Sequence, residues 1–290
     1  MNHQTIQWNG HFTTYPLQEI AGKALDLLPF EREERIRRNR RAVRGRTEQL
    51  LQHPDPSLLD ANELLHYPVT AQIHKGYGVT TVDAKRETAY GYVINGTAEI
   101  FQNDTSLGDV GAGKFFALNG FIDISGKSED ATIVVITRKG YQRTDDLGDA
   151  AKQPPMEYVN GCKDVSLTSP DQDGAPCTNM LFVNPGTTQD AHIHPSDRIG
   201  VIIEGSAICS IYDDSNTAQP SAERWTEKQM RKGDLFLLPA GKLHRFTTTN
   251  EPLTVFTFHP ENDETENPMM HGTIRNTDEA QRWRERFSGT

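Results

Sequence analysis

The sequence feature that most constrains this chain is a pair of histidines, His192 and His194, separated by a single residue. Alternate side chains of a β-strand point to the same face of a sheet, so both imidazoles can face one interior. Two neutral imidazole nitrogens placed in this way can bind one divalent metal ion. The spacing therefore predicts a strand that carries part of a metal site.

A second segment, residues 233–244, can deliver a third imidazole to the same place. It begins with a Gly-Asp turn and continues with the short apolar run 235–238, which is typical of a buried strand. A loop that contains one proline and one glycine then leads to His244.

Together the two segments resemble the two-part signature of the cupins, G-x5-H-x-H-x3-E-x6-G and G-x5-P-x-G-x2-H-x3-N. The positions that match are Gly186, His192, His194 and Gly205 in the first part, and Gly233, Pro239, Gly241 and His244 in the second. The resemblance implies a small antiparallel β-barrel with a metal ion inside it, held by His192, His194 and His244. The alternative is a barrel of this kind that no longer binds a metal.

Two positions of the cupin signature hold a different residue type. The glutamate ligand of the signature falls on Arg198 and its last asparagine on Thr248, so the expected ligand set is three neutral histidines. Arg198 has the same strand parity as the paired histidines and is expected to face inward, where a substrate carboxylate or phosphate would pair with it. Two alternatives stay open: Arg198 pairs with an internal acid such as Glu204, or a bulge turns it outward.

An internal repeat predicts another barrel earlier in the chain. The segment 92–100 parallels the segment 201–209, and the match aligns Gly96 with Gly205. With the same offset, the places of His192, His194 and Arg198 are taken by Asp83, Lys85 and Ala89. These residue types do not make a metal site, so the earlier barrel is expected to hold no metal.

The predicted fold is mainly β, with two cupin (double-stranded β-helix, or jelly-roll) barrels, an α-helical N-terminal segment and a short C-terminal helix over 278–287. The predicted domains are an arm with helices over 1–66, a degenerate barrel without metal over 67–145, a linker over 146–158, a metal-binding barrel over 159–262 and a polar tail over 263–290. Helices over 17–53 are expected because Leu17, Ala24 and Leu28 fall at helical spacing.

Charge and composition limit the expected partners and location. A formal net charge of −10 argues against nucleic acid, and the arginine-rich stretch 30–46 is interpreted as a solvated helix face, with a phosphate-binding patch as the alternative. No apolar run is long enough to span a membrane, and the first residues do not resemble a signal peptide. Three widely spaced cysteines suit a reduced, cytoplasmic protein.

The resemblance also implies a chemistry, because cupins with three histidines and no glutamate ligand are often iron(II) oxygenases or dioxygenases. The expected function is therefore O2-dependent oxidation of a small anionic metabolite with Fe(II), with Zn, Ni, Mn or Cu as alternative metals. A second possibility is a Zn-, Ni- or Mn-dependent isomerase or lyase of a sugar acid or keto acid, and a third is a non-catalytic binding protein. A homodimer is expected, because the arm over 1–16 could cover a sheet edge of a neighbour.

Overall fold

The computed structural model describes residues 3–7, 13–16, 24–28, 69–138, 141–170, 175–194, 197–212, 225–238 and 242–260. These residues divide into two compact units. The first unit comprises those within 1–10, 17–154 and 166–178, and the second unit those within 11–16, 155–165 and 179–290. No helix in the described ranges has the length and apolar character needed to cross a bilayer.

Strands account for nearly all of the regular structure in the described residues, which confirms the prediction of a mainly β fold. In chain order they are β1 (His3–Gln7), β2 (Thr13–Pro16), β3 (Ala24–Leu28), β4 (Val69–Lys75), β5 (Gly78–Asn95), β6 (Thr97–Gln102), β7 (Thr105–Gly111), β8 (Lys114–Gly126), β9 (Thr132–Arg138), β10 (Asp146–Asp149), β11 (Pro155–Glu157), β12 (Lys163–Thr168), β13 (Cys177–Val183), β14 (Arg198–Tyr212), β15 (Trp225–Arg231), β16 (Asp234–Leu238), β17 (His244–Thr247) and β18 (Leu253–His259).

The first sheet has the strand order β1-β3-β4-β9-β5-β8-β6-β7, and β10 pairs with β8. Its buried side chains form one apolar cluster that includes Val82, Ala84, Ile122 and Ile133. On β5 the alternation is clear, because Asp83 lies between two of these buried residues and is exposed.

The helix predicted over 17–53 is wrong where the structure describes it. Residues Ala24–Leu28 form β3, which pairs in parallel with β1 and antiparallel with β4. Sheet hydrogen bonds to two neighbouring strands outweigh a weak helical spacing of apolar residues. The arginine-rich stretch 30–46 and the helix predicted over 278–287 lie outside the described residues.

The second sheet has the strand order β11-β12-β13-β18-β14-β16-β2, and β15 and β17 also pair with β14. Its central strand, β14, is antiparallel to β15, β16, β17 and β18. The apolar core beneath it includes Ile202, Cys209, Phe236 and Val255. The three cysteines are free and buried, and Cys209 is a small apolar side chain of this core.

The strands of the predicted N-terminal arm pair within this chain. Strand β1 pairs with β3, and β2 pairs with β16. The argument that the arm covers a neighbour's sheet edge therefore loses its basis, and the homodimer stays a prediction.

The segment 146–158, predicted to be a linker, carries ordered elements. Strand β10 pairs with β8, and β11 pairs with β12. Between them a single 3-10 turn covers Ala150–Lys152, where the Asp149 side chain accepts a hydrogen bond from the Ala151 N–H. The polar composition of the segment reflects this capping and the exposed edges of two short strands.

Candidate metal centre

Three histidine side chains meet in the second unit. His192, His194 and His244 each offer a ring nitrogen, and these nitrogens lie within 4.8 Å of one another. The ring centroids are 4.5 to 5.1 Å apart, and each side chain is at most 9% exposed. Within the described part of the chain, this is the group of side chains close enough together to hold one metal ion.

Backbone pairing explains why the three side chains converge. His192 and His244 form an antiparallel bridge in which each N–H donates to the carbonyl oxygen of the other at 3.0 Å. Side chains of directly opposite residues lie on the same face. His194 keeps that face because it is two residues from His192, whereas Ile193 is buried on the other side against Leu243.

Hydrogen bonds fix which nitrogen of two of the rings is available to a metal. Nδ1 of His192 lies 2.8 Å from the carbonyl oxygen of Asp190, and Nδ1 of His244 lies 2.9 Å from that of Lys242. A carbonyl oxygen only accepts hydrogen bonds, so Nδ1 of each ring carries the proton and Nε2 keeps its lone pair. Backbone partners of this kind orient metal-binding histidines in many proteins.

Burial keeps the three imidazoles neutral. Desolvation lowers the pKa of His192 to about 4, and the positive charge of Arg198 adds to the effect. Desolvation is also the main reason that the pKa values of His194 and His244 lie well below the usual range. Neutral imidazole is the form that binds metals, so no proton has to leave at neutral pH.

Arg198 faces the same interior as the histidines, as its strand parity predicted. It is 3% exposed and lines a pocket together with His194 and His244. The register shift of β14 falls between Ile202 and Glu204, beyond Arg198, so no bulge turns the guanidinium outward. Glu204, considered as an internal partner, is exposed. Nη1 of Arg198 donates a hydrogen bond to the carbonyl oxygen of Asp197 at 3.1 Å.

The pocket combines an apolar wall with a larger number of polar side chains. Its empty volume, including the open mouth, is about 430 Å³. The apolar wall is formed by Leu181, Phe236, Leu238, Phe246 and Val255. A small pocket with one apolar wall and several convergent polar groups suits a small polar ligand held in one orientation.

Besides Thr257, sequence reasoning missed four polar residues of the pocket: Tyr158, Asp164, Asn179 and His259. The Tyr158 hydroxyl lies 3.4 Å from Nε2 of His192. The other three form a buried hydrogen-bonded chain. None belongs to a motif, and three separate strands and a turn bring them together. The one signal in the sequence is the alternation of Val255, Thr257 and His259 on β18.

The donor set fits a divalent transition metal. Three neutral imidazoles, two of which present Nε2 to the interior, are ligands that suit Fe, Cu, Ni and Zn. The carboxylate of Asp164 is engaged by the Asn179 amide. A metal at the histidines would therefore keep most of its positive charge, which favours anionic ligands.

The second unit contains a segment similar to a known family. Residues 188–263 match the family described as ARD/ARD', and this match spans all three histidines. Among curated relatives, an acireductone dioxygenase of Rattus norvegicus is 36% identical over 92 residues, which cover 32% of this chain and 41% of that protein. The acireductone dioxygenase of Danio rerio is 37% identical over 65 residues, covering 22% and 32%.

A third relative has a different description. The protein of Caenorhabditis briggsae named probable inactive acireductone dioxygenase 2 is 37% identical over 60 residues, which cover 21% of this chain and 33% of that protein. This chain thus spans between about a third and two fifths of the length of these three relatives.

The fold is also similar to that of solved structures. Two structures of Bacillus subtilis oxalate decarboxylase, one from a study of its Mn(II) centres and one of its substrate binding mode, have TM-scores of 0.52 and 0.51 at 14% identity. The likeness covers 68% of this chain and 70% and 69% of those chains. At this identity the likeness shows the fold alone. The chain therefore has a bicupin fold, with a candidate metal site in the second unit.

Proposed function

We propose that this chain is a metal-dependent dioxygenase that uses Fe(II) and O2 to oxidise a small anionic substrate of the acireductone type. One observation carries the proposal. Three neutral imidazoles come together within the segment 188–263 that matches the ARD/ARD' family, and two of them, those of His194 and His244, line a pocket together with Arg198.

The residues that would hold the metal are His192, His194 and His244. Bound there, a divalent ion such as Fe(II) would supply Lewis acidity and redox chemistry towards O2. The protein's own contribution is the fixed direction of two imidazoles, set by the backbone carbonyls of Asp190 and Lys242.

Arg198 would bind the anionic part of the substrate. Its guanidinium is buried, and a carboxylate or enolate oxygen can accept two parallel hydrogen bonds from it. The positive charges of Arg198 and of a metal at neutral ligands would attract an anion into the pocket. The apolar wall around Phe236 and Phe246 would exclude water from the bound substrate.

A specific observation also favours a second candidate, a non-catalytic ligand-binding cupin. Arg198 stands where the cupin signature has a glutamate ligand, and one relative is named probable inactive. Such a protein would bind the same small anions at the three histidines without consuming O2.

The test is metal analysis combined with oxygen uptake. Protein purified without chelators and then reconstituted with Fe(II) under argon should consume O2 when acireductone is added. Matched samples reconstituted with Zn(II) and the variant His244→Ala should consume none. Tight ligand binding to the Fe(II) protein without O2 consumption would favour the binding protein. Conversion of substrate by the Zn(II) or Ni(II) form without O2 would favour the isomerase or lyase.

A further inference from the structure

The pocket that His194 and His244 line is also lined by three polar residues on neighbouring strands. Asp164 lies on β12, Asn179 on β13 and His259 at the end of β18, and these strands are adjacent in the second sheet. The Asn179 amide nitrogen lies 2.7 and 2.8 Å from the two oxygens of Asp164, and its oxygen lies 2.6 Å from Nε2 of His259. Each side chain is at most 5% exposed.

The chemistry of this chain of hydrogen bonds fixes the orientation of His259. Carboxylate oxygens accept hydrogen bonds, so the amide must present its NH2 group to Asp164. The amide oxygen is then left to accept from His259, and Nε2 of that ring must carry a proton. His259 is therefore held as the Nε2–H form, whereas His192 and His244 carry the proton on Nδ1.

The strand register places His259 beside Arg198. Strands β14 and β18 pair Gly200 with Thr257 and Ile199 with Phe258, and continuing this register by one residue sets Arg198 opposite His259. Directly opposite residues have Cβ atoms about 4.5–5.5 Å apart. An anion held by Arg198 would therefore lie next to the His259 imidazole.

We propose that His259 is a further substrate-contacting residue, that Asn179 and Asp164 are its positioning residues, and that the pocket takes small anions with an oxygen substituent next to the charged group. The inference rests on the proposed function of this pocket. Arg198 supplies the contact for the charged group, and Nδ1 of His259, which carries no proton in the Nε2–H form, accepts a hydrogen bond from a hydroxyl group on the neighbouring carbon.

A structural role alone does not account for the arrangement. Burial of a carboxylate and an imidazole is costly unless each is well hydrogen-bonded, and an apolar core of the same volume would avoid the cost. In the first unit the residue at the equivalent register position is Thr137, paired with Ala89. There the place of the polar pair Arg198 and His259 is taken by much smaller side chains, and the fold forms without them.

The first arm of the test observes the imidazole itself. A long-range ¹H–¹⁵N spectrum of wild-type protein should contain an Nε2–H histidine signal that disappears in His259→Ala. In Asn179→Ala this signal should shift towards a mixture of tautomers, and in Asp164→Asn it should change less, because an amide oxygen can still accept from Asn179. An Nδ1–H form for His259 in the wild type would overturn the proposal.

The second arm measures ligand binding without any oxygen chemistry. Co(II)-loaded protein is titrated with glycolate and with acetate, and the change in visible absorption is followed. His259→Ala should weaken glycolate binding about tenfold, the size expected for one lost hydrogen bond to a charged ligand, and should change acetate binding less than about twofold. Asn179→Ala should weaken glycolate binding by a smaller factor. His259→Gln, which keeps a donor for Asn179, serves if the alanine variant does not fold.

A buried histidine of the first unit provides the matched control. His74 is 2% exposed and contacts the Thr80 hydroxyl and the carbonyl oxygen of Gly76, so His74→Ala removes an equally buried ring far from this hydrogen-bonded chain in sequence. Its glycolate affinity should equal that of the wild type. Unchanged glycolate binding in His259→Ala, with Co(II) still bound, would overturn this inference and leave the proposed function intact. Failure of the wild type to take up Co(II) would overturn both.

Discussion

The two units have equivalent strands and glycines but differ in the side chains that fill their interiors. In the first unit Gly91 on β5 pairs with Phe116, and in the second unit Gly200 on β14 pairs with Phe236. At each glycine an added Cβ would overlap the ring of the paired phenylalanine, so both positions need a residue without a side chain. The same aromatic packing thus closes the interior at the same place in both units.

The interiors differ at the position two residues before these glycines. Ala89 pairs with Leu118 on one side and Thr137 on the other, whereas Arg198 pairs with Leu238 and adjoins His259 by register. The small side chains of Ala89 and Thr137 let the core of the first unit close as a continuous apolar cluster. In the second unit the large polar residues Arg198 and His259 line a pocket. A site can therefore arise by changing interior side chains while the strands and glycines that hold the fold stay the same.

The largest expected effect is the loss of metal from the second unit. His244→Ala removes one imidazole of three and keeps the backbone pairing with His192, so metal content should fall from about one ion per chain to near zero. His192→Ala and His194→Ala should do the same. Inductively coupled plasma mass spectrometry measures the result, with His74→Ala of the first unit as the control. Full metal occupancy in any of the three variants, or two ions per wild-type chain, would contradict the comparison.

Substitution of a glycine that occupies the equivalent position in both units should destabilise the fold of either unit, whether or not that unit contains the metal site. Gly205 has φ +77°, and an added Cβ would overlap the carbonyl oxygen of Pro252. Backbone overlap and left-handed strain together should cost about 3 kcal/mol or more in Gly205→Ala. Its counterpart Gly96 has φ +67° with the Ala131 backbone 2.7 Å from the added Cβ, so Gly96→Ala should behave alike.

Gly233→Ala is the control for this pair, because Gly233 has φ +85° but nothing within 4 Å of an added Cβ. It should cost about 1 to 2 kcal/mol through backbone strain alone. Urea unfolding measures all three variants. Equal effects of Gly205→Ala and Gly233→Ala would show that the close approach of the backbone does not matter.

Acid should destabilise the metal-free second unit more than the first. The pKa of His192 is lowered to about 4 in the folded state, and those of His194 and His244 also lie well below the usual range, so the unfolded chain binds protons below pH 6.5 that the folded chain does not. Stability is thus lost as pH falls from about 6.5 towards 4, by up to about 1.4 kcal/mol per pH unit for each histidine. Among the described residues of the first unit, one histidine, His74, has a lowered pKa.

This difference can be followed by urea unfolding at pH 7, 6 and 5, with isoleucine methyl signals from each core. Added Zn(II) should flatten the pH dependence of the second unit near neutral pH, because a bound metal competes with the protons. Equal pH dependence of both units would show that the buried imidazoles are not kept neutral.

Arg198→Ala gives the second unit the residue that the first unit has at Ala89. Loss of a charge-assisted hydrogen bond in a dry pocket should lower kcat/KM roughly 10- to 100-fold and leave metal content unchanged. Arg198→Lys should rescue only part of this, because an ammonium cannot form the planar two-bond contact. Arg198→Glu should tighten metal binding and repel an anionic substrate. Loss of the metal along with the arginine would mean that Arg198 supports the site and does not bind substrate.

The sequence predicted the second unit better than the first part of the chain. Strand parity and the Pro- and Gly-containing loop were enough to bring His192, His194 and His244 to one interior and to direct Arg198 inward. Alignment of Gly96 with Gly205 also matched Ala89 to Arg198. The strand registers agree, because Ala89 pairs with Leu118 in the first unit and Arg198 pairs with Leu238 in the second. These predictions succeed because parity and turn residues are local properties of the backbone.

The predictions that failed or were missed depend on partners far apart in sequence. Residues Ala24–Leu28 have helical spacing, but pairing with strands on both sides makes them a strand. His259 becomes part of the pocket only because β18 lies between β13 and β14, which brings it close to Asn179 and Arg198. No local pattern encodes such neighbours.

The smallest expected effect is the change in metal affinity on substitution of Tyr158. The direction of this change shows whether the Tyr158 hydroxyl is a metal ligand. The Tyr158 hydroxyl lies 3.4 Å from Nε2 of His192, the nitrogen left free for a metal because Nδ1 is bonded to Asp190. Metal binding must break this weak hydrogen bond. Tyr158→Phe should therefore raise metal affinity about two- to threefold, near the lower limit for one neutral hydrogen bond. Tyr212→Phe removes a hydroxyl from a ring packed on Trp225 and should change nothing. Competition with a chromophoric chelator measures both affinities. A fall in affinity for Tyr158→Phe would instead make the hydroxyl a ligand that takes the place of the missing carboxylate.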